Sequence, residues 1–315
     1  MQFARIENVI DIPAIQTKVV TIVGAGGSAP LIENLTRSGV QHWKLIDPDM
    51  IENVNISRQG HSPADIGIEK VEAVANKIRA INPGATVECY PIDFTSLSDD
   101  EIREVFGDTD LFIFATDSFA AQSRGNEVAL LLNTSATWIG LYAGGLGGEV
   151  VFWHPELECC FQCLCSGRYK AQAKAKNENR SLDPPSDGAT IFDIQLLDSI
   201  AGHLCLGLLT RGSDNRFGKL IDQLGDRQFI QVSISPDFLV NDNDVIRKHL
   251  GIDENCLSYF AWNAIALSDP DQGNEYCPDC EKYRGIKFLP PFLGATSFLR
   301  GRTDQSHVDQ TVEST

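Results

Sequence analysis

Short apolar, β-branched runs recur along the chain, and helical patterns separate them. Val19-Val20-Thr21-Ile22-Val23 is the first run, of the kind that suits a strand buried on both faces. Trp43-Lys44-Leu45-Ile46, Thr86-Val87-Glu88-Cys89-Tyr90 and Leu111-Phe112-Ile113-Phe114-Ala115 predict three more strands, and Trp138-Ile139-Gly140 starts a fifth. Glu149-Val150-Val151-Phe152-Trp153 and Phe229-Ile230-Gln231-Val232-Ser233-Ile234 follow. Helical patterns run from Pro30 to near Gly39, from Asp65 through Ala80, from the capped start Ser98-Asp99-Asp100-Glu101, and over Ile194 to Thr210. Such alternation predicts an α/β fold, a doubly wound Rossmann-like, mostly parallel sheet.

Polar punctuation between the first elements suggests a ligand. Gly24-Ala25-Gly26-Gly27-Ser28-Ala29 follows the first strand at once, and Pro30 stands where a helix begins. Gly24 allows the tight turn, Gly26 lets a phosphate approach the backbone, and Ala29 takes the place of a third glycine. The second strand closes on Asp47-Pro48-Asp49, where an acid can accept both hydroxyls of a ribose. A purely architectural glycine turn and a self-capped Asp-Pro-Asp turn remain open at this point. A dehydrogenase would use the same elements, so adenosine is implied but no reaction.

Asn55-Ile56-Ser57-Arg58-Gln59 adds two carboxamides and a guanidinium, groups that hydrogen-bond a triphosphate. Lys70 opens the next helix, where its charge opposes the helix dipole. Asp117 follows the fourth strand, on the edge where open α/β sheets bind ligands, and a carboxylate there suits Mg²⁺. Helix capping is the competing role for Asp117. A nicotinamide site has no common task for Arg58, Lys70 and Asp117.

Cys160-Phe161-Gln162-Cys163 and Cys277-Pro278-Asp279-Cys280 supply four thiolates, the set that a closed structural zinc site requires, with a redox CxxC as the alternative. That metal would staple an antiparallel C-terminal portion to the sheet. Ser166 to Ala189, polar and without apolar period, is expected to be a loop or disordered. Gly144-Gly145-Leu146-Gly147-Gly148 is too glycine-rich for a strand interior and is expected to pass close to a nucleotide or a peptide tail. Cys205 and His203 are expected in the core or at its boundary. The resulting division is a nucleotide-binding half over 1–167, a crossover loop over 168–193, a completing portion over 194–302 and a disordered tail over 303–315. No role emerges for 237–274.

Together Gly24-Ala25-Gly26-Gly27, Asp47-Pro48-Asp49, Asn55-Ile56-Ser57-Arg58-Gln59, Gly67-Ile68-Glu69-Lys70 and Ile81-Asn82-Pro83 resemble the ThiF/MoeB/HesA-type adenylyltransferases, relatives of the ubiquitin-activating enzymes. The match covers roughly Val19 to Gly167. It implies that Asp47, Arg58 and Lys70 contact the ribose and phosphates of ATP, that Asn55 and Gln59 line the triphosphate site, and that Asp117 holds Mg²⁺. It also matches Arg124 and Asn126 to a family arginine and asparagine, and it favours a peptide tail at the glycine cluster. Arg5 would reach the γ-phosphate across a homodimer or heterodimer. The implied reaction is adenylation of the C-terminal carboxylate of a ubiquitin-like or sulfur-carrier protein, followed by transfer to a thiol or sulfur acceptor, a conjugating or sulfur-donor protein included. Thioester-forming relatives carry their cysteine in the crossover loop; this loop has none, which leaves Cys159, Cys165 and Cys256 as outside candidates. A catalytically silent subunit or binding scaffold is the alternative.

Composition narrows the partners. Against 43 acidic residues stand 26 basic ones, a net charge of −17 that argues against nucleic acid or an anionic membrane. No leader pattern opens the chain, and the apolar 194–210 stretch is short for a bilayer and interrupted by Asp198 and His203. Nine cysteines fit metal or thiol chemistry better than disulfides, and a cytoplasmic protein is the expectation.

Overall fold

The computed structural model describes residues 3–180, 188–239, 261–265 and 277–286, with the backbone alone at 261–265. Among the described residues eight strands form one sheet: β1 (Val19–Val23), β2 (His42–Ile46), β3 (Thr86–Tyr90), β4 (Leu111–Phe114), β5 (Ser135–Leu141), β6 (Gly147–Trp153), β7 (Phe229–Ser233) and β8 (Ala261–Ile265). Their order is β3-β2-β1-β4-β5-β6-β7-β8. Pairing is parallel from β3 through β5 and antiparallel from β5 through β8. The mostly parallel sheet and its antiparallel C-terminal portion thus agree with the sequence reading.

Ten α-helices lie among the described residues: α1 (Ile12–Ile15), α2 (Ala29–Arg37), α3 (Lys70–Ile81), α4 (Asp99–Phe106), α5 (Phe119–Leu132), α6 (Phe161–Leu164), α7 (Ser166–Asn177), α8 (Ile191–Leu209), α9 (Arg216–Leu224) and α10 (Pro278–Arg284). Alternation along the strands sorts them into two layers. Val20, Ile22, Leu111, Ile113, Val150 and Phe152 share a core with α2, α3, α8 and α9. Val23, Phe112, Phe114, Val151 and Trp153 point the other way, to α4, α5 and the cysteine knuckles. Because side chains alternate along a strand, a central strand buried on both faces is apolar almost throughout, which is the pattern of the first and fourth runs. The exception, Thr21, shares a hydrogen bond with Thr109 at 2.7 Å. Lys44 breaks the pattern in β2; its buried stem carries the ammonium to Asp108, 2.6 Å away.

The chain reverses direction across the sheet between β1 and β4, so their carboxyl ends open a crevice of the kind that binds ligands in such folds. Gly24, Asp47, Asp117 and Tyr142 all follow the ends of parallel strands at this edge. Since β6 runs antiparallel, its first residues return to the same edge, with Glu149 opposite Gly140 and Gln231.

Three expectations change. Ser166–Asn177 is a helix, α7, not a loop. It is built from Ala, Lys, Gln and Arg, good helix formers without an apolar stripe, so propensity acts where periodicity is silent. His203 is exposed on α8, its Nδ1 bonded to the Ser199 carbonyl at 2.7 Å, while Cys205 is fully buried as expected. The glycine cluster is approached by its own chain: a Cβ on Gly148 would lie 2.4 Å from Leu197, and one on Gly147 2.8 Å from the Val232 carbonyl. Helix α8 therefore accounts for Gly148, and the close backbone of the neighbouring strand β7 for Gly147. Cys256, the 303–315 tail and most of 237–274 lie outside the described residues. Helix α8 is long and apolar enough to cross a membrane, and here it packs against β5, β6, α2 and α9.

Candidate active site

The glycine turn is closely packed, and at Gly24 it tolerates no side chain. Gly24 has φ +96°, and a Cβ there would come within 2.2 Å of the Ala115 carbonyl on the neighbouring strand end. A Cβ on Gly26 would lie 2.9 Å from the carboxamide of Gln59. Asp47 closes the turn from the next strand: Ala25 N–H donates to its Oδ2 at 2.7 Å, and Asp49 N–H to its Oδ1 at 3.0 Å. Burial raises the Asp47 carboxyl above its usual range, opposed by Lys70 and by these two N–H groups.

Lys70, at the start of α3, is buried and places its ammonium 2.7 Å from Asp49 and 3.8 Å from Asp47. Two carboxylates thus balance a cation that the helix dipole alone would disfavour. Asp49, unlike Asp47, leaves 63% of its side chain exposed. Asn55 accepts from Glu52 N–H at 2.8 Å, which shapes the loop that carries Arg58 and Gln59.

Asp117 stands exposed beyond β4, and the N-cap of α5 is Ser118, whose hydroxyl accepts from Ala121 N–H at 3.4 Å. The capping role considered for Asp117 therefore belongs to its neighbour. One cavity of about 1260 Å³ brings together Gly24, Gly26, Gly27, Asp47, Asp49, Asn55, Arg58, Gln59, Lys70 and Asp117. Other proposed residues are elsewhere. Arg5 is exposed in the lead-in, outside the cavity lining. Arg124 instead joins α5 to α4 through Asp99 at 2.7 Å.

Asn126 serves the cysteine cluster. Its Oδ1 accepts from Phe161 N–H at 3.0 Å, and its Nδ2 donates to Asp279 at 2.6 Å. The Sγ atoms of Cys160, Cys163, Cys277 and Cys280 all lie within 4.8 Å of one another, with separations of 3.5 Å for Cys160 to Cys163 and 3.7 Å for Cys163 to Cys280. A zinc ion with bonds of about 2.3 Å in a regular tetrahedron sets its sulfurs about 3.8 Å apart, so the donor set fits that metal. Four thiolates would leave zinc no open position and hence no chemistry beyond fastening the chain.

These arrangements carry a family signature along most of the chain. The model of the ThiF family matches residues 5–258. The chain belongs to the ThiF family. Among curated proteins, this ThiF-family chain is similar to the sulfur carrier protein adenylyltransferase of Thermus thermophilus, 32% identical over 46% of this chain and 54% of the relative. It is also similar to ubiquitin-like modifier-activating enzyme 5 of Bombyx mori, 29% identical over 52% of this chain and 44% of the relative. The matched region spans about half the length of these relatives. Among solved structures, PaaA gives a TM-score of 0.56 at 19% identity over 72% of both chains. Escherichia coli MccB, crystallised with ATP, gives 0.54 at 18% identity over 70% of this chain and 61% of its own. Both show the fold shared with this ThiF-family chain.

Four cavity residues escaped the sequence reading. Glu149, 2% exposed, is paired with Arg168 at 2.6 Å and accepts from the Tyr142 hydroxyl. Burial opposes the charge on Arg168, and the Glu149 carboxylate more than offsets that opposition. Asp198 lines the cavity from α8, its Oδ2 without a hydrogen-bond partner. Burial alone pushes its carboxyl well above the usual range. One signal was available: a lone acid in the apolar run of β6 needs a partner.

Proposed function

We propose that the chain is an ATP-dependent adenylyltransferase acting on the C-terminal carboxylate of a ubiquitin-like or sulfur-carrier protein, with release of pyrophosphate. The observation that carries this reading is the single cavity that unites the glycine turn, Asp49, Arg58, Gln59, Lys70 and Asp117. Its volume of about 1260 Å³ exceeds the range of roughly 300–1,000 Å³ common for one small-molecule site, leaving room for a peptide tail beside a nucleotide. The family membership points the same way.

A carboxylate is a poor acyl donor because oxide would have to leave; joining it to AMP provides a better leaving group. One carboxylate oxygen attacks the α-phosphorus, the bond to the bridging oxygen breaks, and pyrophosphate departs with the electron pair. Positioning and neutralisation of charge carry such a step, with little proton transfer. The glycine turn lets phosphate oxygens approach the backbone, and Arg58 and Lys70 offer cations to them. Asp49 is the acid assigned to the ribose, because 63% of its side chain is exposed at the cavity edge while Asp47 is buried. In Asp47 one oxygen accepts from Ala25 N–H of the glycine turn and the other from Asp49 N–H. Asp117 offers a hard oxygen donor for Mg²⁺, which when bound would neutralise phosphate charge.

No cysteine is among the described residues that line this cavity. We assign the acyl adenylate to an acceptor outside this cavity, a thiol or sulfur donor; Cys165 lines the adjoining cavity. Exchange of labelled pyrophosphate into ATP, driven by carrier proteins ending in Gly-Gly, tests the proposal. Asp117→Ala should lower the exchange rate at least about 100-fold, the scale of removing one charge-stabilising group from such a site. Absence of exchange with every carrier, or an undiminished rate in Asp117→Ala, would sink it.

A further inference from the structure

A second cavity, of about 680 Å³, adjoins the first, and Tyr142, Ala143, Glu149 and Arg168 line both. Its remaining wall is largely apolar, with Leu146, Leu164, Phe229 and Phe238. At the shared boundary Arg168 reaches from α7 to Glu149 on β6, with 32% of the Arg168 side chain still exposed and 3% of the Glu149 side chain. Gln172, one turn further along α7, lines the first cavity on the same side.

Three basic side chains line the first cavity among the described residues: Arg58, Lys70 and Arg168. Lys70 sits on the acid pair at the nucleotide end, and Arg58 stands beside Gln59 in the loop next to the glycine turn. Arg168 comes from the opposite element, between the two cavities. A carboxylate that must approach a triphosphate meets strong repulsion and gives up its hydration. Since Glu149 already balances the charge of Arg168, what the pair offers that carboxylate is the remaining N–H donors of the guanidinium. Guanidinium presents five donors in a planar fork, enough to serve Glu149 and a second carboxylate together.

We propose that Arg168 is the docking point for the free C-terminal carboxylate of the substrate tail, which crosses the second cavity to reach the nucleotide, and that Glu149 holds the guanidinium ready at the boundary. Arg168 is thus a substrate-binding and specificity residue for a carboxylate-ended tail, and Glu149 is a positioning residue. The inference rests on the adenylation reading above and deepens it.

Pyrophosphate exchange with a Gly-Gly carrier separates the two. The paired substitution Glu149→Gln with Arg168→Gln removes both charges without leaving either one buried alone. It should raise the carrier KM at least about tenfold while the ATP KM stays within about twofold. Arg168→Lys keeps a charge beside Glu149 but loses the fork, and it should raise the carrier KM by a smaller factor, about threefold or more. This single variant keeps the test open if the paired one melts early. As a control for packing, a carrier whose C-terminus is amidated should inhibit the wild type and the paired variant equally, because it lacks the group that Arg168 holds. Exchange in the wild type with unchanged carrier KM in both variants overturns the Arg168 assignment alone. Unequal inhibition by the amidated carrier overturns it as well. No exchange in the wild type with any carrier overturns the adenylation reading and this inference with it.

Discussion

A carboxyl group buried with no cation beside it favours its protonated form, and Asp198 on α8 is held in that condition against the nucleotide cavity. In the unfolded chain it would titrate near the ordinary value of about 3.9. As pH rises above that value, the unfolded state loses its proton first, so Asp198 withdraws stability progressively until pH passes its raised folded value. Each unit of elevation corresponds to about 1.4 kcal/mol. Asp198→Asn should therefore raise the melting temperature at pH 8 and lose that advantage near pH 4. Parallel melting curves across that pH range would reject the assignment. The neighbouring carboxyls show how far a sequence can be read at this scale. Asp47 and Asp49 were both visible as candidate ribose acids, but only the hydrogen bonds from Ala25 and Asp49 N–H to Asp47 reveal which one closes the turn. Glu149 was visible only as a letter in an apolar strand, because its partner Arg168 stands on an element with no apolar signature.

Helices were legible where a cap or a long apolar run marked them, as in α4 and α8, while α9 buries Phe217 and Ile221 but is too short to announce itself. The capped start of α4 was anticipated by Ser98 and Glu101, which bond each other's backbone as a reciprocal cap. In α7 no apolar stripe exists, and its helical state rests on the intrinsic preference of its residues and on Tyr169, whose ring meets Phe119 at 4.9 Å. Arg124, which the resemblance matches to a family arginine, stands at a junction between elements. Its guanidinium links α5 to α4 through Asp99 at 2.7 Å and the Leu97 carbonyl at 3.0 Å. Arg124→Ala should cost about 1–3 kcal/mol in chemical denaturation, with the ATP KM of pyrophosphate exchange unchanged. A large rise in ATP KM without loss of stability would return Arg124 to the active site.

Across the whole molecule, the strand order and the cysteine cluster are the two features that gather distant segments. The parallel portion was legible because each strand buried on both faces announces itself by composition. The direction of β6, which brings Glu149 to the ligand edge, follows from the short glycine-rich connection between Leu141 and Gly147, which leaves no room for the crossover that a parallel pair needs. The two CxxC pairs were legible because four thiols at knuckle spacing have few other uses. Metal analysis should find about one zinc per chain, and a strong chelator should lower the melting temperature by at least about 5 °C. A stoichiometry near zero with an unchanged melting temperature would refute the four-thiolate site.

That cluster joins Cys160 to Cys277, 117 positions apart. With metal in place, the chain between them is a ring, and severing it once would open the ring without freeing either half. The entropy of closing a ring grows only with the logarithm of its length, by about 0.6 kcal/mol for each doubling. The connections between the packed elements of that span can therefore lengthen at small thermodynamic expense, while the glycine turn and the acid pair stay outside the ring.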